Sequence, residues 1–266
     1  MKMTLITGAS GGIGEEFARQ LAARSENVLL VARSADKLAA LCDELKGKHK
    51  VDAQFVALDL TERDATQKLF DETMRRGIEV ETLVNNAGFG SMGDFTKFDI
   101  ERDRSMIELN ITALVALTHL YLPLMRARRG GAIINVASTA AFQAVPYMAT
   151  YAATKAFVLS FSEALWEENR AYGVKVLALC PGTTDTNFFD VAHGKQPPPS
   201  ITQTPAEVVE TALRALARNK SHVVSGWANS VTIAAERLVP RSLLTRIAGR
   251  VVRSRHQLDG EDSRPK

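Results

Sequence analysis

The sequence predicts an α/β fold built on one doubly wound parallel sheet of about seven strands, with helices on both faces. Three observations carry this expectation. Short runs rich in Val, Ile and Leu alternate along the chain with longer segments of helical period, the rhythm of repeated βαβ units. Runs such as Val28-Leu29-Leu30-Val31 and Ile133-Ile134 are continuously apolar, as strands covered on both faces require. A glycine cluster between Gly8 and Gly14 stands directly between the first apolar run and the first helical segment.

In chain order the expected strands cover residues 4–7, 28–31, 54–58, 82–84, 132–136, 175–179 and 222–225. Helices fit between them at residues 14–24, 36–45, 65–75, 101–128, 151–172 and 205–218. The 266 residues contain no internal repeat and no long linker, so residues 1–266 are read as a single domain. The richest loop, His193-Gly194-Lys195-Gln196-Pro197-Pro198-Pro199, follows the sixth strand inside a connecting segment at 183–204. In an open parallel sheet the ligand crevice lies beyond the carboxyl ends of the strands, so this segment is placed to cover it. Residues 188–200 are either a mobile lid or an ordinary surface loop.

Composition excludes several classes. No apolar run of membrane-spanning length is expected, and the first strand starts too early for a cleavable signal peptide, so a cytoplasmic protein is expected. Cys42 and Cys180 read as reduced, buried small residues, not as a disulfide framework. The histidines show no metal-ligand spacing, and no metal is expected. The net charge of +3 rests on one stretch: Arg237, Arg241, Arg246, Arg250, Arg253 and Arg255 follow one another with no acid between them. A nucleic-acid binder spreads or stripes its basic charge over the domain, so nucleic acid is not an expected partner.

The loop Thr7-Gly8-Ala9-Ser10-Gly11-Gly12-Ile13-Gly14 sits where a strand meets a helix. Glycines let the backbone turn tightly and approach a pyrophosphate, whose charge a helix amino terminus stabilises. In that setting the reading is a Rossmann-like dinucleotide site, with a plain tight turn and helix cap as its rival. A ribose 2′-hydroxyl calls for an acid at the end of the second strand, and a 2′-phosphate calls for an arginine. Here the strand ends Val31-Ala32-Arg33, which favours NADP(H) over NAD.

Together with Asp59-Leu60, Asn85-Asn86-Ala87-Gly88, Asn110, Ser138, Tyr151-xxx-Lys155 and Pro181-Gly182, this loop resembles the short-chain dehydrogenase/reductase family from Leu5 to about Thr186. The resemblance implies a cofactor site of Gly8, Ser10, Gly12, Ile13, Gly14, Arg33, Asp59, Leu60, Asn86, Ala87, Gly88, Tyr151, Lys155, Pro181, Gly182, Thr183 and Thr186. It implies that Asp59 lies near the adenine, that the Asn-Asn-Ala-Gly run borders the cofactor, and that Pro181-Gly182 flanks the nicotinamide. It also implies a homodimer or homotetramer. Two departures stand out. Gly11 occupies the place where relatives with a strong NADP preference often carry a second basic residue. The last strand is followed by Gly226-Trp227 and about 40 further residues, where many relatives read Asp-Gly-Gly and end.

Reducing a carbonyl needs a hydride on carbon and a proton on oxygen, and Tyr151 is the candidate acid. Bringing a phenol from a pKa of about 10 to about 7 takes about 4 kcal/mol of preferential phenolate stabilisation. Lys155, one helical turn on, can hold an ammonium near that phenol in a cleft of lowered dielectric, an oxidised nicotinamide adds a second positive charge, and together these are of adequate size. Ser138 ends the fifth strand, where its hydroxyl can hold the substrate oxygen or cap a turn. Asn110 is either a structural amide in its helix or, as the resemblance implies, a relay that fixes a water on Lys155; the resemblance also gives Lys155 hydrogen bonds to the nicotinamide ribose.

Ala140, Phe142, Val145, Pro146, Tyr147, Phe188 and Phe189 are expected on the substrate side, so a small hydrophobic carbonyl or alcohol, 3-oxoacyl or steroid-like, is the expected substrate. The basic arm at 237–256 places Leu243, Leu244, Ile247, Val251 and Val252 on one helical stripe. Such a stripe packs on its own domain, meets a second subunit, or makes peripheral contact with a membrane. An NADP(H)-binding sensor without turnover is the rival from another class, and the complete Asn110, Ser138, Tyr151 and Lys155 set argues against it.

Overall fold

The structure, a computed structural model, describes residues 1–192, 194, 198, 201–236 and 238–256. Strands β1 (Lys2–Thr7), β2 (Val28–Ala32), β3 (Ala53–Ala57), β4 (Glu79–Asn85), β5 (Ala132–Val136), β6 (Lys175–Cys180) and β7 (His222–Val224) form one parallel sheet in the order β3-β2-β1-β4-β5-β6-β7. The order reverses between β1 and β4, and the crevice of an open sheet lies at such a switch point. Strand β2 shows the double burial that its sequence demands. Val28 and Leu30 enter one apolar layer and Leu29 and Val31 the other, and all four are fully buried. Strand β4 starts earlier than the expected residues 82–84, because its first half alternates exposed Glu79 and Glu81 with buried Val80 and carries no continuous apolar run.

Helices α1 (Gly12–Ala23), α2 (Ala35–His49) and α8 (Pro205–Ala217) cover one face. The other face carries α3 (Ala65–Arg75), α5 (Leu114–Ala127) and α6 (Ala149–Asn169). The single helix expected at 101–128 is interrupted: α4 (Ile100–Ile107) leads into a wide π-helical turn, Glu108–Ala113, before α5 begins. Wide turns of this kind recur at functional sites, and this one carries Asn110. By length and composition the stretch Ile100–Ala127 could cross a membrane, with a mean hydropathy of 1.4, although no such run was expected. In the fold it is a core helix, with Ala113, Leu117, Tyr121 and Met125 buried in the apolar layer on the sheet.

After β6 come a one-turn helix α7 (Phe188–Val191) and, beyond β7, a helix pair, α9 (Trp227–Glu236) and α10 (Arg241–His256). Helix α10 accounts for the expected arm at 237–256, of which Arg237 lies outside the described residues. Helix α9 is an addition to the expected elements.

A buried polar ladder ties the layers together beneath the crevice. The Asn85 amide donates to Asn135 Oδ1 at 2.9 Å and to Thr118 Oγ1 at 3.2 Å. The Asn135 amide donates to Ser162 Oγ at 2.9 Å, and Ser162 donates on to the Val158 carbonyl. Asn85 and Asn135 face each other in register on β4 and β5, so the ladder joins α5, both strands and α6. Replacing Asn135 by Leu strips partners from the buried Asn85 and Ser162, which costs about 1–3 kcal/mol. Thermal unfolding of Asn135→Leu is expected to lose about 2–4 °C for each kcal/mol. An unchanged midpoint would show that the ladder contributes nothing.

Candidate active site

The glycine loop is held open by Thr7, the last residue of β1, and Asn86, the residue after β4. The Thr7 hydroxyl donates to the Val84 carbonyl at 3.2 Å and accepts the backbone N–H groups of Asn86 and Ala87, both at 3.0 Å. The Asn86 amide donates to the carbonyls of Thr7 at 2.9 Å and Gly8 at 3.2 Å. Gly8 and Gly12 have φ of 66° and 56°, a region that glycine enters without strain. A Cβ on Gly14 would fall 2.3 Å from the Gly8 carbonyl oxygen and 2.5 Å from the Asn86 amide nitrogen, so α1 starts as close to β1 as a helix can. Ser10 is half-buried on this loop, and Ile13 packs against the core behind it. The loop therefore presents an open backbone and a helix amino terminus, which is a cradle for an anion.

Along the crevice from this loop, Arg33 after β2 and Asp59 after β3 face each other, Arg33 Nη1 standing 3.7 Å from Asp59 Oδ2. Asp59 is also tied to Thr61, whose N–H and hydroxyl donate to Oδ1 at 3.0 and 2.8 Å. Leu60 is buried beside it. The Arg33 side chain is 79% exposed and the neighbouring Ser34 hydroxyl makes no bond to α2, so both remain available to a phosphate.

The catalytic candidates converge from three elements. Tyr151 and Lys155 lie one turn apart on α6, both buried, with Lys155 Nζ 5.9 Å from the centre of the Tyr151 ring. Ser138, two residues past β5, stands near the Tyr151 phenol, and its hydroxyl accepts the Ala140 N–H at 3.1 Å and caps a turn. The Asn110 amide donates to the Phe89 carbonyl at 3.0 Å and to Thr154 Oγ1 at 3.1 Å, while its oxygen accepts the Phe89 N–H at 3.1 Å. Asn110 Oδ1 and Lys155 Nζ close on Gly88 from two sides, 2.8 and 3.5 Å from where a Cβ would stand. Asn110 thus fixes the loop after β4 and leaves Gly88 bare at the ammonium.

The segment after β6 closes the far side. Pro181 is buried, and Gly182 lies under α9, where a Cβ would strike the Asn229 amide at 2.4 Å. Thr183 and Gln203 pair through the backbone and pin the base of the expected substrate loop, and the Thr186 methyl stands 2.9 Å from a Cβ position on Gly12. Phe188 of α7 lies against Tyr151 with ring centres 5.2 Å apart. Arg102 donates to the carbonyls of Gly90 and Val191, tethering α7 to the loop after β4. Residues 193, 195–197, 199 and 200 of the expected lid lie outside the described residues. Thr7, Thr154, Arg102 and Asn229 were not singled out in the sequence. Thr7 was already visible as the first residue of the glycine motif, whereas the other three act through contacts across the fold that no local spacing announces.

A profile of the short chain dehydrogenase family matches residues 2–196. The chain belongs to that family. It is 34% identical over 233 residues to a very-long-chain 3-oxoacyl-CoA reductase of Macaca fascicularis, covering 84% of this chain and 73% of the relative. It is 31% identical to a 7beta-hydroxysteroid dehydrogenase of Mediterraneibacter gnavus, covering 86% of this chain and 88% of the relative. A short-chain dehydrogenase from Sphingobium yanoikuyae, solved in complex with NADPH, superposes with a TM-score of 0.79 at 31% identity, covering 90% of this chain and 94% of that one.

In this short-chain dehydrogenase the acid and its neighbour are pulled in opposite directions by burial. Desolvation pushes the Tyr151 phenol up to about 12, opposed by the neighbouring Ser138 hydroxyl. Desolvation also pulls Lys155 down to about 8, opposed by the nearby Cys180 thiol. Burial therefore outweighs what Lys155 alone contributes to lowering the phenol, in keeping with the expectation that the ammonium acts together with an oxidised nicotinamide. The Lys155 ammonium is turned to the Val136 carbonyl, 2.8 Å away, and the phenol stays protonated at neutral pH. A second positive charge at the site has to supply the rest of any lowering.

Lys155 carries its charge below about pH 8 and loses it above, well before the ordinary lysine value of 10.5. Affinity for an anionic dinucleotide is expected to be flat below that pH and to fall above it, and Lys155→Met should abolish the alkaline limb. An alkaline limb of equal size in the variant would show that another group titrates.

Proposed function

We propose that this short-chain dehydrogenase moves a hydride reversibly between NADP(H) and a hydrophobic ketone or aldehyde, or the corresponding secondary alcohol. The observation that carries the reading is the convergence of Tyr151, Ser138 and Lys155, all buried, beside the apolar cluster of Met92, Met148, Phe188 and Phe189 at the mouth of the glycine-loop crevice. The Macaca relative's name, the Mediterraneibacter relative's name and the NADPH in the Sphingobium structure support it.

The residues present fit a dinucleotide phosphate: the glycine loop gives backbone to the pyrophosphate, and Arg33 with the Ser34 hydroxyl, which does not cap α2, faces the place of a 2′-phosphate. When bound, the nicotinamide supplies or accepts the hydride. Tyr151 then gives its proton to the carbonyl oxygen, which a phenol protonated at neutral pH is ready to do. Ser138, beside Tyr151, orients that oxygen toward the proton. Lys155 has one of its three donors on Val136 and two left for the ribose and for the phenolate left after transfer. Phe188 and the methionines exclude water from the reacting groups.

The test is NADPH oxidation over a panel of 3-oxoacyl thioesters, steroid ketones and aromatic aldehydes. Tyr151→Phe is expected to bind NADPH as wild type does and to lose turnover. Arg33→Ala is expected to raise the KM for NADPH about tenfold or more and to leave that for NADH nearly unchanged, since a charge-assisted contact is worth about 1.5–3 kcal/mol. Undiminished reduction by Tyr151→Phe would remove the assigned acid. NADPH binding without turnover of any panel member would favour a sensor.

We also place the protein in the cytoplasm as a homodimer or homotetramer. Cys42 and Cys180 are both free and buried, which suits a reducing compartment. The outer face of α9 and α10 exposes Trp227, Val231, Leu243, Ile247 and Val251, an apolar surface that a second copy would cover. Sedimentation equilibrium should give a dimer or tetramer that Val231→Glu weakens. A monomer that cosediments with anionic vesicles would assign the face to peripheral membrane contact.

A further inference from the structure

Beside the catalytic cluster lies a cavity of about 570 Å³, a volume suited to a small organic ligand. Its inner end is shared with the site, because Met148 both lines the cavity and packs with Tyr151. One wall is the carboxyl-terminal helix. Helix α10 presses on the body of the protein at Gly249, where a Cβ would stand 3.2 Å from Pro146 Cγ, and its Val252 joins the Tyr151 cluster. From that wall Arg246, Arg250 and Arg253 line the cavity.

These three arginines differ in what they do. Arg253 is engaged: its Nε donates to the Tyr147 hydroxyl at 2.9 Å, and its guanidinium lies over the Tyr147 ring. Arg246 and Arg250 have no ion-pair or hydrogen-bond partner among the described residues. They stand four residues apart on one helix with no acid in it, an arrangement that repels and that helices ordinarily avoid. Two acids also line the cavity, and among the described residues neither is ion-paired to Arg246 or Arg250. Asp94 Oδ1 is occupied by the N–H and hydroxyl of Thr96, at 2.9 and 2.8 Å. Asp103 is 5% exposed, with its Oδ1 sealed from solvent. Three arginines against two carboxylates leave the cavity lining net positive, next to an apolar stretch of Phe95, Phe98 and Met148.

We propose that this cavity receives the acidic end of the substrate, a carboxylate or phosphate carried by an apolar carbonyl compound, and that Arg246 and Arg250 bind it. The inference deepens the reductase reading and rests on it only for turnover, since the anion site can be measured by binding alone. It makes Arg246 and Arg250 specificity residues: an acidic substrate gains at them what its neutral ester does not.

The test compares three probes: oxodecanoate bearing a methyl ketone at the end remote from its carboxylate, the methyl ester of that acid, and acetoacetyl-coenzyme A as the phosphate-bearing arm. With NADPH, the ratio of kcat/KM for acid over ester is expected to fall about tenfold in the double variant Arg246→Gln, Arg250→Gln, which is what two partly exposed ion pairs supply. Arg241→Gln, on the same helix but outside the cavity, should leave the ratio alone. Loss confined to oxodecanoate or to the thioester identifies the carboxylate or the phosphate as the group bound. An unchanged acid-over-ester ratio together with an unchanged kcat/KM for the thioester, or an equal fall in Arg241→Gln, overturns the proposal. Calorimetric binding of the same acids to the NADP-loaded Tyr151→Phe protein separates the two readings. Should wild type reduce none of the probes, weaker binding in the double variant on that background still supports the anion site, and equal or absent binding overturns it.

Discussion

One hydroxyl holds the two halves of the sheet in the relation that makes a binding crevice. Thr7 ends β1, takes the backbone donors of Asn86 and Ala87 at the end of β4, and gives its own proton to Val84. Those are the two strands between which the sheet reverses its order. The groups that follow are placed beside that junction: the glycine loop by the Asn86 amide and the bare backbone at Gly88 by Asn110, while the Val136 carbonyl holds the Lys155 ammonium. The junction is buried and fully used, so it can fix geometry without competing for a ligand.

Below it, the ladder from Thr118 through Asn85 and Asn135 to Ser162 extends the same logic across the core. Polar groups in such a place are costly unless paired, and once paired they specify one arrangement of the elements they join. The register of β4 on β5 and the seating of α5 and α6 are what they specify here. The catalytic side chains on α6 inherit that precision, which matters because proton transfer depends on short distances and not on bulk affinity.

How far the sequence could be read depended on whether a feature was local. Continuous apolar runs announced the sheet, and the glycine loop, Arg33 and the Tyr151–Lys155 spacing announced the site, because in each case the determining groups are neighbours along the chain. The start of β4 was not legible, since Glu79 and Glu81 alternate with buried residues at a strand end. The break in the helix at Asn110 was hidden as well. A π turn keeps the apolar spacing of its flanks, and only the demands of Phe89 and Thr154 on the Asn110 amide reveal it. Charge states were the least legible. Spacing put an ammonium next to a phenol, but the carbonyl of Val136, distant in sequence, decides where that ammonium points. The fate of the arginine-rich arm turned on Gly249 and Pro146 meeting, a contact of shape that composition cannot encode.

That last contact separates two tasks within one chain. The machinery that handles the proton is built entirely before Pro181, from strands and helices locked into the core. The wall that selects what reaches it is a terminal helix, resting on the body through a glycine and a proline and free of any strand that the sheet needs. Changes along α10 can therefore alter what is admitted while leaving the chemistry and the folding of the sheet intact. The carboxyl-terminal helix is the part of this enzyme in which new selectivity is most cheaply tried, by natural variation or by exchange with another chain.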